Sequence, residues 1–151
     1  DLGNPPFGHS GENAIREWFN EKVSDGKGDL IFADLDAQQK GDFLKFEGNA
    51  QTLRLVSKLQ ILADLHGMNF TYGTLSAACK YLAASDKIDK DVHSLSKVGY
   101  FASERELIKD IHEKTGTDGW RNPITFIVEA ADDAVYNTVD LEDGFTKDLL
   151  D

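Results

Sequence analysis

The chain opens with a stiff loop that separates acid–base residues, DLGNPPFGHSGE. Adjacent prolines, Pro5 and Pro6, restrict the backbone between Asp1 and the pair formed by His9 and Glu12. His9 and Glu12 are three residues apart where a helix is predicted to begin, so Glu12 can hydrogen-bond His9 and keep it protonated. A protonated imidazole can act as a general acid. The same spacing also fits a turn followed by a helix N-terminus that carries a favourable acid.

A second group of reactive side chains lies in EAADDAVYNTVDLEDG. Asp132, Tyr136 and Asp140 recur every four residues, so a helix places them along one line. On the same helix, an apolar stripe is predicted that includes Ile127, Val135 and Leu141. The acidic line lies opposite this stripe, which is typical of a solvated acidic face. The other interpretation is the wall of a cleft, with a carboxylate on a metal ion and the tyrosine stacked on a sugar or base. The spacing leaves both interpretations open.

Other polar residues, taken singly, are typical of an exposed surface. They are Asn49 and Arg54 in FEGNAQTLRL, Lys80 and Tyr81 after Cys79, Lys97 in SKVGYF, and the histidines His93 and His112. The sequence contains no Walker loop and no CxxC, GxSxG or HExxH motif. Nothing therefore supports nucleophilic serine or cysteine catalysis or a structural zinc site.

The composition limits the classes of partner. With 16 Lys and Arg against 27 Asp and Glu, the formal net charge is −11, which repels nucleic-acid backbones and anionic membranes. A phosphate-bearing ligand therefore needs a local device such as a metal ion or a few placed cations. The single cysteine excludes a disulfide framework within the chain and favours a reducing compartment. No apolar run has the length of a membrane span, so we expect a cytoplasmic protein.

The elements that position these residues are predicted to be helices. Apolar residues recur every three or four positions over long stretches, and no alternating strand pattern of any length is present. The predicted helices follow the opening loop to about Val23 and then span about 38–65, 75–82, 103–116 and 123–144. The start of the helix predicted for 103–116 rests on Ser103 and Glu106 as a capping box. The 151 residues are expected to form one all-α segment.

The chain resembles the deoxyguanosine triphosphate triphosphohydrolases, a branch of the HD-domain phosphohydrolases. The segments that carry the resemblance are DLGNPPFGHSGE, FEGNAQTLR, LSAACKYLA, KVGYFASE and RNPITFIVEAADDAVYNTVDLEDG, in the order of the family. The first and last are long and specific, whereas the middle three are looser. Leu82 and Val98 stand where the family has proline, usually at the first position and often at the second. The resemblance implies a partial HD-domain fold that starts at the aspartate of the His-Asp doublet and lacks upstream ligand histidines and a C-terminal part.

The resemblance also implies roles for the reactive residues. Asp1 and Asp132 match two of the four ligands of a divalent ion, Mg²⁺ or Mn²⁺. His9 matches the catalytic histidine beside the α-phosphate, and Glu12 matches its supporting acid. Tyr136 closes off the 2′ position of a deoxyribose in this comparison.

Further substrate contacts follow from the same match. Asp140 would accept a hydrogen bond from the 3′-hydroxyl, whereas Asp133 would face elsewhere. The remaining substrate-binding residues implied are Asn49, Arg54, Lys80, Tyr81 and Lys97.

The implied activity is metal-dependent hydrolysis of a deoxynucleoside triphosphate, dGTP first, to a deoxynucleoside and inorganic tripolyphosphate. The resemblance also implies a homo-oligomer such as a hexamer, with nucleic acid only as an effector. One alternative is another HD-type phosphohydrolase, acting on nucleoside monophosphates, cyclic nucleotides or an alarmone. Such an enzyme shares Asp1 and Asp132 but does not need Tyr136 and Asp140. The other alternative is a non-catalytic regulatory or assembly module.

Overall fold

A computed structural model describes residues 2–61 and 66–149 of the chain. This part is mostly helical, as the all-α prediction requires. Its seven α-helices are α1 Gly8–Ser24, α2 Gly28–Phe32, α3 Ala37–Leu44, α4 Gly48–Arg54, α5 Tyr72–Ala78, α6 Arg105–Thr115 and α7 Pro123–Thr146. A π-helical turn, Leu55–Leu59, continues α4, and short 3₁₀ turns cover His93–Leu95 and Ala102–Glu104. Two short strands, β1 Ala83–Ala84 and β2 Val98–Tyr100, pair in parallel.

The helices α1, α6 and α7 follow their sequence signals closely. α1 ends one residue past the predicted Val23. Gly116 ends α6 in the left-handed conformation, with φ 67°, which glycine adopts without strain. Pro123 opens α7 behind Asn122, whose side chain accepts a hydrogen bond from the backbone N–H of Ile124 at 2.9 Å. α7 continues to Thr146 and so passes the predicted end at position 144.

The long helix predicted for 38–65 is wrong. The chain leaves the helix after α3, and Glu47 is extended, with φ −140° and ψ 126°, before α4 begins at Gly48. A Cβ at Gly48 would lie 2.5 Å from Oδ1 of Asn4, so the opening loop packs directly on this helix start. The apolar residues recur every three or four positions through the break, so this pattern alone does not reveal it. Residues 62–65 of the prediction lie outside the described residues.

The helix predicted for 75–82 ends early. α5 stops at Ala78, and the chain continues to β1, where Ala83 pairs with Val98. A Cβ at Gly99 would lie 2.0 Å from the carbonyl oxygen of Tyr81, so the two segments approach backbone to backbone. This long-range approach overrides the local helical spacing.

The predicted capping box at Ser103 and Glu106 is also wrong. The Ser103 hydroxyl donates to Oε2 of Glu104 at 2.9 Å, and α6 has no side-chain cap. Glu104 is fully buried and forms an ion pair with Lys58.

Two clusters of buried apolar side chains meet at α4. The larger joins α4, the π-turn, α5 and α6 through Leu53, Val56, Leu75, Cys79, Ile108 and Ile111. The smaller joins α4 to the region of β2 through Ala50, Val98 and Phe101. α4 is therefore fixed from both sides, while its first residues stay available to a neighbouring cleft.

α7 packs on α5 by its first turns. Thr125 of α7 is fully buried, and its hydroxyl donates to the carbonyl oxygen of Ser76 at 3.5 Å. The predicted apolar stripe does not pack into the core, because Ile127, Val135 and Leu141 are 68%, 62% and 64% exposed. No described helix combines the length and apolar character that crossing a membrane requires.

Candidate active site

A cleft of about 560 Å³ lies between the opening loop, the start of α4, the segment after α5, and α7. Its lining includes eight of the residues predicted from the sequence: His9, Glu12, Asn49, Lys80, Tyr81, Lys97, Asp132 and Tyr136. The residues come from both ends of the chain, so only the fold brings them together. Asp1 lies outside the described residues.

His9 and Glu12 share the cleft, but Glu12 does not hold His9. The Glu12 carboxylate forms an ion pair with Nη2 of Arg16 and accepts a hydrogen bond from the backbone N–H of Gly48 at 3.3 Å. Glu12 is buried, whereas His9 is exposed. Within the described part of the chain, the His9 ring makes no hydrogen bond or ion pair. The expected His9–Glu12 hydrogen bond is therefore wrong, because a guanidinium and a buried amide take the carboxylate.

Arg16 connects two buried carboxylates beneath this end of the cleft. Its Nη2 also lies 3.1 Å from Oε2 of Glu47, and its Nε donates to the carbonyl oxygen of Phe46 at 2.6 Å. Glu47 accepts a second hydrogen bond, at 2.9 Å, from Nδ2 of Asn49. The network ties α1 to the start of α4 and fixes the side chain of Asn49. Sequence reasoning missed Arg16 and Glu47, since nothing in the sequence predicts that α1 and α4 meet here.

The opening loop is tied to α4 as well. The backbone N–H of Gly3 donates to Oγ1 of Thr52 at 3.0 Å. A Cβ at Gly3 would lie 2.0 Å from the carbonyl oxygen of Gly48, so only glycine fits there. The glycines and prolines of this loop therefore set the position of His9 relative to α4.

Lys80 and Asp132 form an ion pair across the cleft. Lys80 follows α5, and Asp132 lies in the third turn of α7. Their side chains are 21% and 32% exposed, so both remain open to a ligand. The pair places an ammonium group and a carboxylate at one point of an otherwise acidic wall.

Two further acidic residues of α7 line the cleft beside Asp132. Asp133 lines it together with Asp132 and Glu129, so the expectation that Asp133 faces elsewhere is wrong. Glu129 forms an ion pair with Arg121, whose guanidinium also lies 4.5 Å from the ring centroid of Phe126. The interpretation of the acidic helix face as a cleft wall therefore applies to the first half of α7.

The far wall of the cleft is aromatic and cationic. Lys97 Nζ lies 5.5 Å from the ring centroid of Tyr81, within the range of a cation–π contact. The His93 ring centroid lies 6.1 Å from that of Tyr81. His93 is exposed as predicted, yet it also lines the cleft, which no sequence signal indicates.

Cys79 lies beside this wall but is buried. Burial raises the pKa of its thiol to about 12, so the reactive thiolate is not formed near neutral pH. The structure thus agrees with the absence of a cysteine nucleophile.

Curated relatives match almost the whole chain. A deoxyguanosinetriphosphate triphosphohydrolase-like protein of Listeria monocytogenes is 44% identical over 152 residues, which is 99% of this chain and 33% of the relative. A protein of the same description from Pseudomonas aeruginosa is 40% identical over 157 residues, covering 100% of this chain and 34% of the relative. The deoxyguanosinetriphosphate triphosphohydrolase of Yersinia enterocolitica is 32% identical over 175 residues, covering 99% and 34%.

The chain belongs to the deoxyguanosinetriphosphate triphosphohydrolase family. It spans about a third of the length of the curated relatives it matches. No family model matches it.

Two residues that the family resemblance assigns to the substrate lie outside the cleft. Arg54, at the end of α4, lines a separate depression together with Asp42 and Phe101. Asp140 lies two turns beyond Asp132 on α7 and is exposed. Arg54 lies five residues after Asn49, which is about 140° around the helix, so it faces the separate depression and not the cleft.

The described residues do not by themselves form the metal centre that the resemblance implies. Among them, no group of three or more His, Cys, Asp or Glu side chains is placed to hold a metal ion. The carboxylate of Asp132 is bound by Lys80. A metal ion at Asp132 therefore requires ligands from outside the described residues.

Proposed function

We propose that the full-length protein hydrolyses deoxynucleoside triphosphates, with dGTP as the first substrate, to a deoxynucleoside and inorganic tripolyphosphate. The observation that carries the proposal is the meeting of His9, Lys80 and Asp132 in one cleft with Tyr136 beside them. The names of the relatives, each described as a dGTP triphosphohydrolase or as like one, support the same reaction.

Cations in the cleft supply the affinity for the triphosphate. Lys80 and Lys97 are point charges that can contact phosphate oxygens, in a chain whose formal net charge is −11. Asn49 adds a neutral donor whose position is fixed by Glu47. The acidic residues nearby repel a phosphate that is out of place, so only a short path along the lysines is favourable.

His9 acts on the leaving group. A water oxygen forms the new bond to the α-phosphorus, and the bond from that phosphorus to the 5′-oxygen breaks. Protonated His9 gives its proton to the departing 5′-oxygen, which leaves as the hydroxyl of the deoxynucleoside. The attacking water loses one proton to solvent, and His9 takes up one proton from solvent before the next turnover.

Tyr136 faces the sugar in this proposal. Its ring lines the cleft one turn after Asp132, where it can close off the 2′ carbon of a deoxyribose. A 2′-hydroxyl would then have no room. A divalent ion, Mg²⁺ or Mn²⁺, is proposed as the cofactor, with Asp132 as one ligand and the others outside the described residues.

Product analysis tests the reaction. Full-length protein is incubated with dGTP and Mn²⁺, and the products are separated by ion chromatography, beside His9→Ala and Asp132→Ala variants. Ser10→Ala is the matched control, since Ser10 is exposed next to His9 and does not line the cleft. We expect tripolyphosphate and deoxyguanosine from the wild type and the control. For His9→Ala we expect a rate lower by about 10²- to 10⁴-fold, the usual contribution of a general acid.

Other products would decide between the remaining functions. Orthophosphate or pyrophosphate from dGTP, or turnover of cyclic or monophosphate nucleotides instead, would replace this proposal with another phosphohydrolase activity. No turnover of any nucleotide would favour a regulatory or assembly role.

A further inference from the structure

A second depression adjoins the cleft and is strongly cationic. It has a volume of about 450 Å³ and shares Glu47 and Lys97 with the cleft. Its other charged residues are Arg16, Lys45 and Lys90. Four cations and one carboxylate therefore line one hollow in a chain with 27 acidic and 16 basic residues.

The lysines of this hollow are not neutralised by the protein. Lys45 donates to the carbonyl oxygen of Ser85 and Lys90 to that of Ser96, each at 2.7 Å. These acceptors are uncharged. Among the residues that the structure describes, none of Lys45, Lys90 and Lys97 forms an ion pair with a carboxylate. The two carbonyl contacts hold the lysine stems at the rim but leave their positive charge in place.

The one carboxylate in the hollow is already engaged. Glu47 binds Nη2 of Arg16 at 3.1 Å and Nδ2 of Asn49 at 2.9 Å. Arg16 faces both Glu47 and Glu12, so these three groups together carry one negative charge, and the three lysines leave the hollow net positive. The remaining lining is apolar, formed by Leu44, Ile88 and Val98. Like charges held together in this way repel each other unless an anion binds.

We propose that this hollow is a polyphosphate-binding site that receives the tripolyphosphate released from the cleft. Lys97 lines both the cleft and the hollow. A phosphate chain bound by Lys80 and Lys97 in the cleft can therefore move to Lys45 and Lys90 in the hollow while it stays in contact with Lys97. The identity of the ligand rests on the proposed function, whereas the site itself rests on the arrangement of the lysines.

Calorimetry with inorganic tripolyphosphate tests the site without any turnover. The probe is titrated into full-length protein and into a Lys45→Ala/Lys90→Ala double variant. The control is Lys27→Ala/Lys109→Ala, which removes two exposed lysines outside the hollow and changes the net charge equally. We expect the Kd for tripolyphosphate to rise about tenfold or more in the first variant and to stay within about twofold in the control. Equal affinity in all three proteins, or no binding to the wild type, would overturn the proposal.

A second arm identifies the source of the phosphate chain. The titration is repeated with dGTP in EDTA, which suppresses hydrolysis. If the Lys45→Ala/Lys90→Ala variant loses affinity for tripolyphosphate but not for dGTP, the result supports capture of the product. An equal loss for both ligands would overturn the assignment to released product, because the hollow would then bind any triphosphate group. Failure of the proposed function is visible separately, because wild-type protein would then release no tripolyphosphate from dGTP even if it binds the probe.

Discussion

Lys80 and Asp132 bind each other across the candidate cleft, one from the segment after α5 and the other from α7. The two residues have different proposed tasks, since Lys80 contacts phosphate and Asp132 contacts a metal ion. Each therefore neutralises the other until a ligand takes its place. The pair also fixes α7 to the rest of the described chain at the point where the chemistry is proposed.

The strength of this pair can be measured by a double-mutant cycle. Lys80→Met, Asp132→Asn and the double variant are compared by urea unfolding. Because the side chains are only 21% and 32% exposed, we expect a coupling energy of about 1 kcal/mol, at the upper end for ion pairs open to water. The matched pair is Lys147 and Asp143, with side chains 63% and 62% exposed, for which about 0.3 kcal/mol is expected. Strictly additive effects at Lys80 and Asp132 would contradict the observed contact.

Replacement of Arg16 tests the network beneath the cleft. Arg16→Met leaves the buried carboxylates of Glu12 and Glu47 without their cation, so we expect a loss of about 2 kcal/mol in the free energy of unfolding. Arg16→Lys keeps the charge but loses the fork that reaches several acceptors, so its loss is smaller. Lys147→Met serves as the control, because its ion pair with Asp143 is exposed. A control loss as large as that of Arg16→Met would show that burial is not the cause.

The close packing of the opening loop predicts that Gly3 tolerates no side chain. A Cβ there would lie 2.0 Å from the carbonyl oxygen of Gly48 and 2.2 Å from the backbone nitrogen of Thr52, so Gly3→Ala is expected to destabilise the protein by about 1–3 kcal/mol. At Gly73, in α5, the nearest atom is Thr71 Oγ1 at 3.8 Å. Gly73→Ala should therefore be neutral or stabilising. Thermal melts of both variants make the comparison, and equal melting temperatures would count against the packing argument.

The sequence predicts the helices that carry strong local signals. Pro123 at the start of α7 and Gly116 at the end of α6 act through their own backbone preferences. Each of these helix boundaries can therefore be predicted from a single residue. The break before Gly48 and the early end of α5 depend instead on contacts with Asn4 and Gly99, which are distant in sequence. Such contacts leave no periodic signal.

The site shows the same division. Residue types and spacing bring out His9, Asp132 and Tyr136, which do line the cleft. The partner of Glu12 could not be predicted, because Arg16 lies four residues away and competes with His9 at three. Only the position of α1 beside the segment that precedes α4, where Phe46 and Glu47 also bind Arg16, decides between them.

The ion pair of Asp36 and Arg105 predicts a pH dependence of stability. The Arg105 guanidinium, with the backbone N–H of Gln39, lowers the pKa of Asp36 from 3.8 to about 2. A lowered pKa in the folded state means that ionised Asp36 stabilises the protein above about pH 4 and that this contribution is lost as the pH falls toward 2. Asp36→Asn keeps an amino acid that caps helices well. The difference in melting temperature between wild type and Asp36→Asn should shrink from pH 6 to pH 2.5, and a constant difference would contradict the prediction.

The ring of Tyr136 predicts a preference against ribonucleotides. Tyr136→Ala opens the cleft beside Asp132, so we expect kcat/KM for GTP to rise relative to that for dGTP by about tenfold, the discrimination typical of a steric pocket. Val139→Ala is the control, since Val139 is exposed on α7 and does not line the cleft. An unchanged ratio in Tyr136→Ala would assign the sugar to another wall.

Contacts at Asn122, Thr125 and Asp132 attach the first half of α7 to the rest of the described chain. Asn122 and Thr125 bind Ser76, and Asp132 binds Lys80, whereas Asp140 lies about 12 Å beyond Asp132 along the axis and is exposed. A force on this distal end would tilt the helix about Asp132 and change the width of the cleft at Tyr136. A molecule bound to the end of α7 would in this way act on the cleft without entering it.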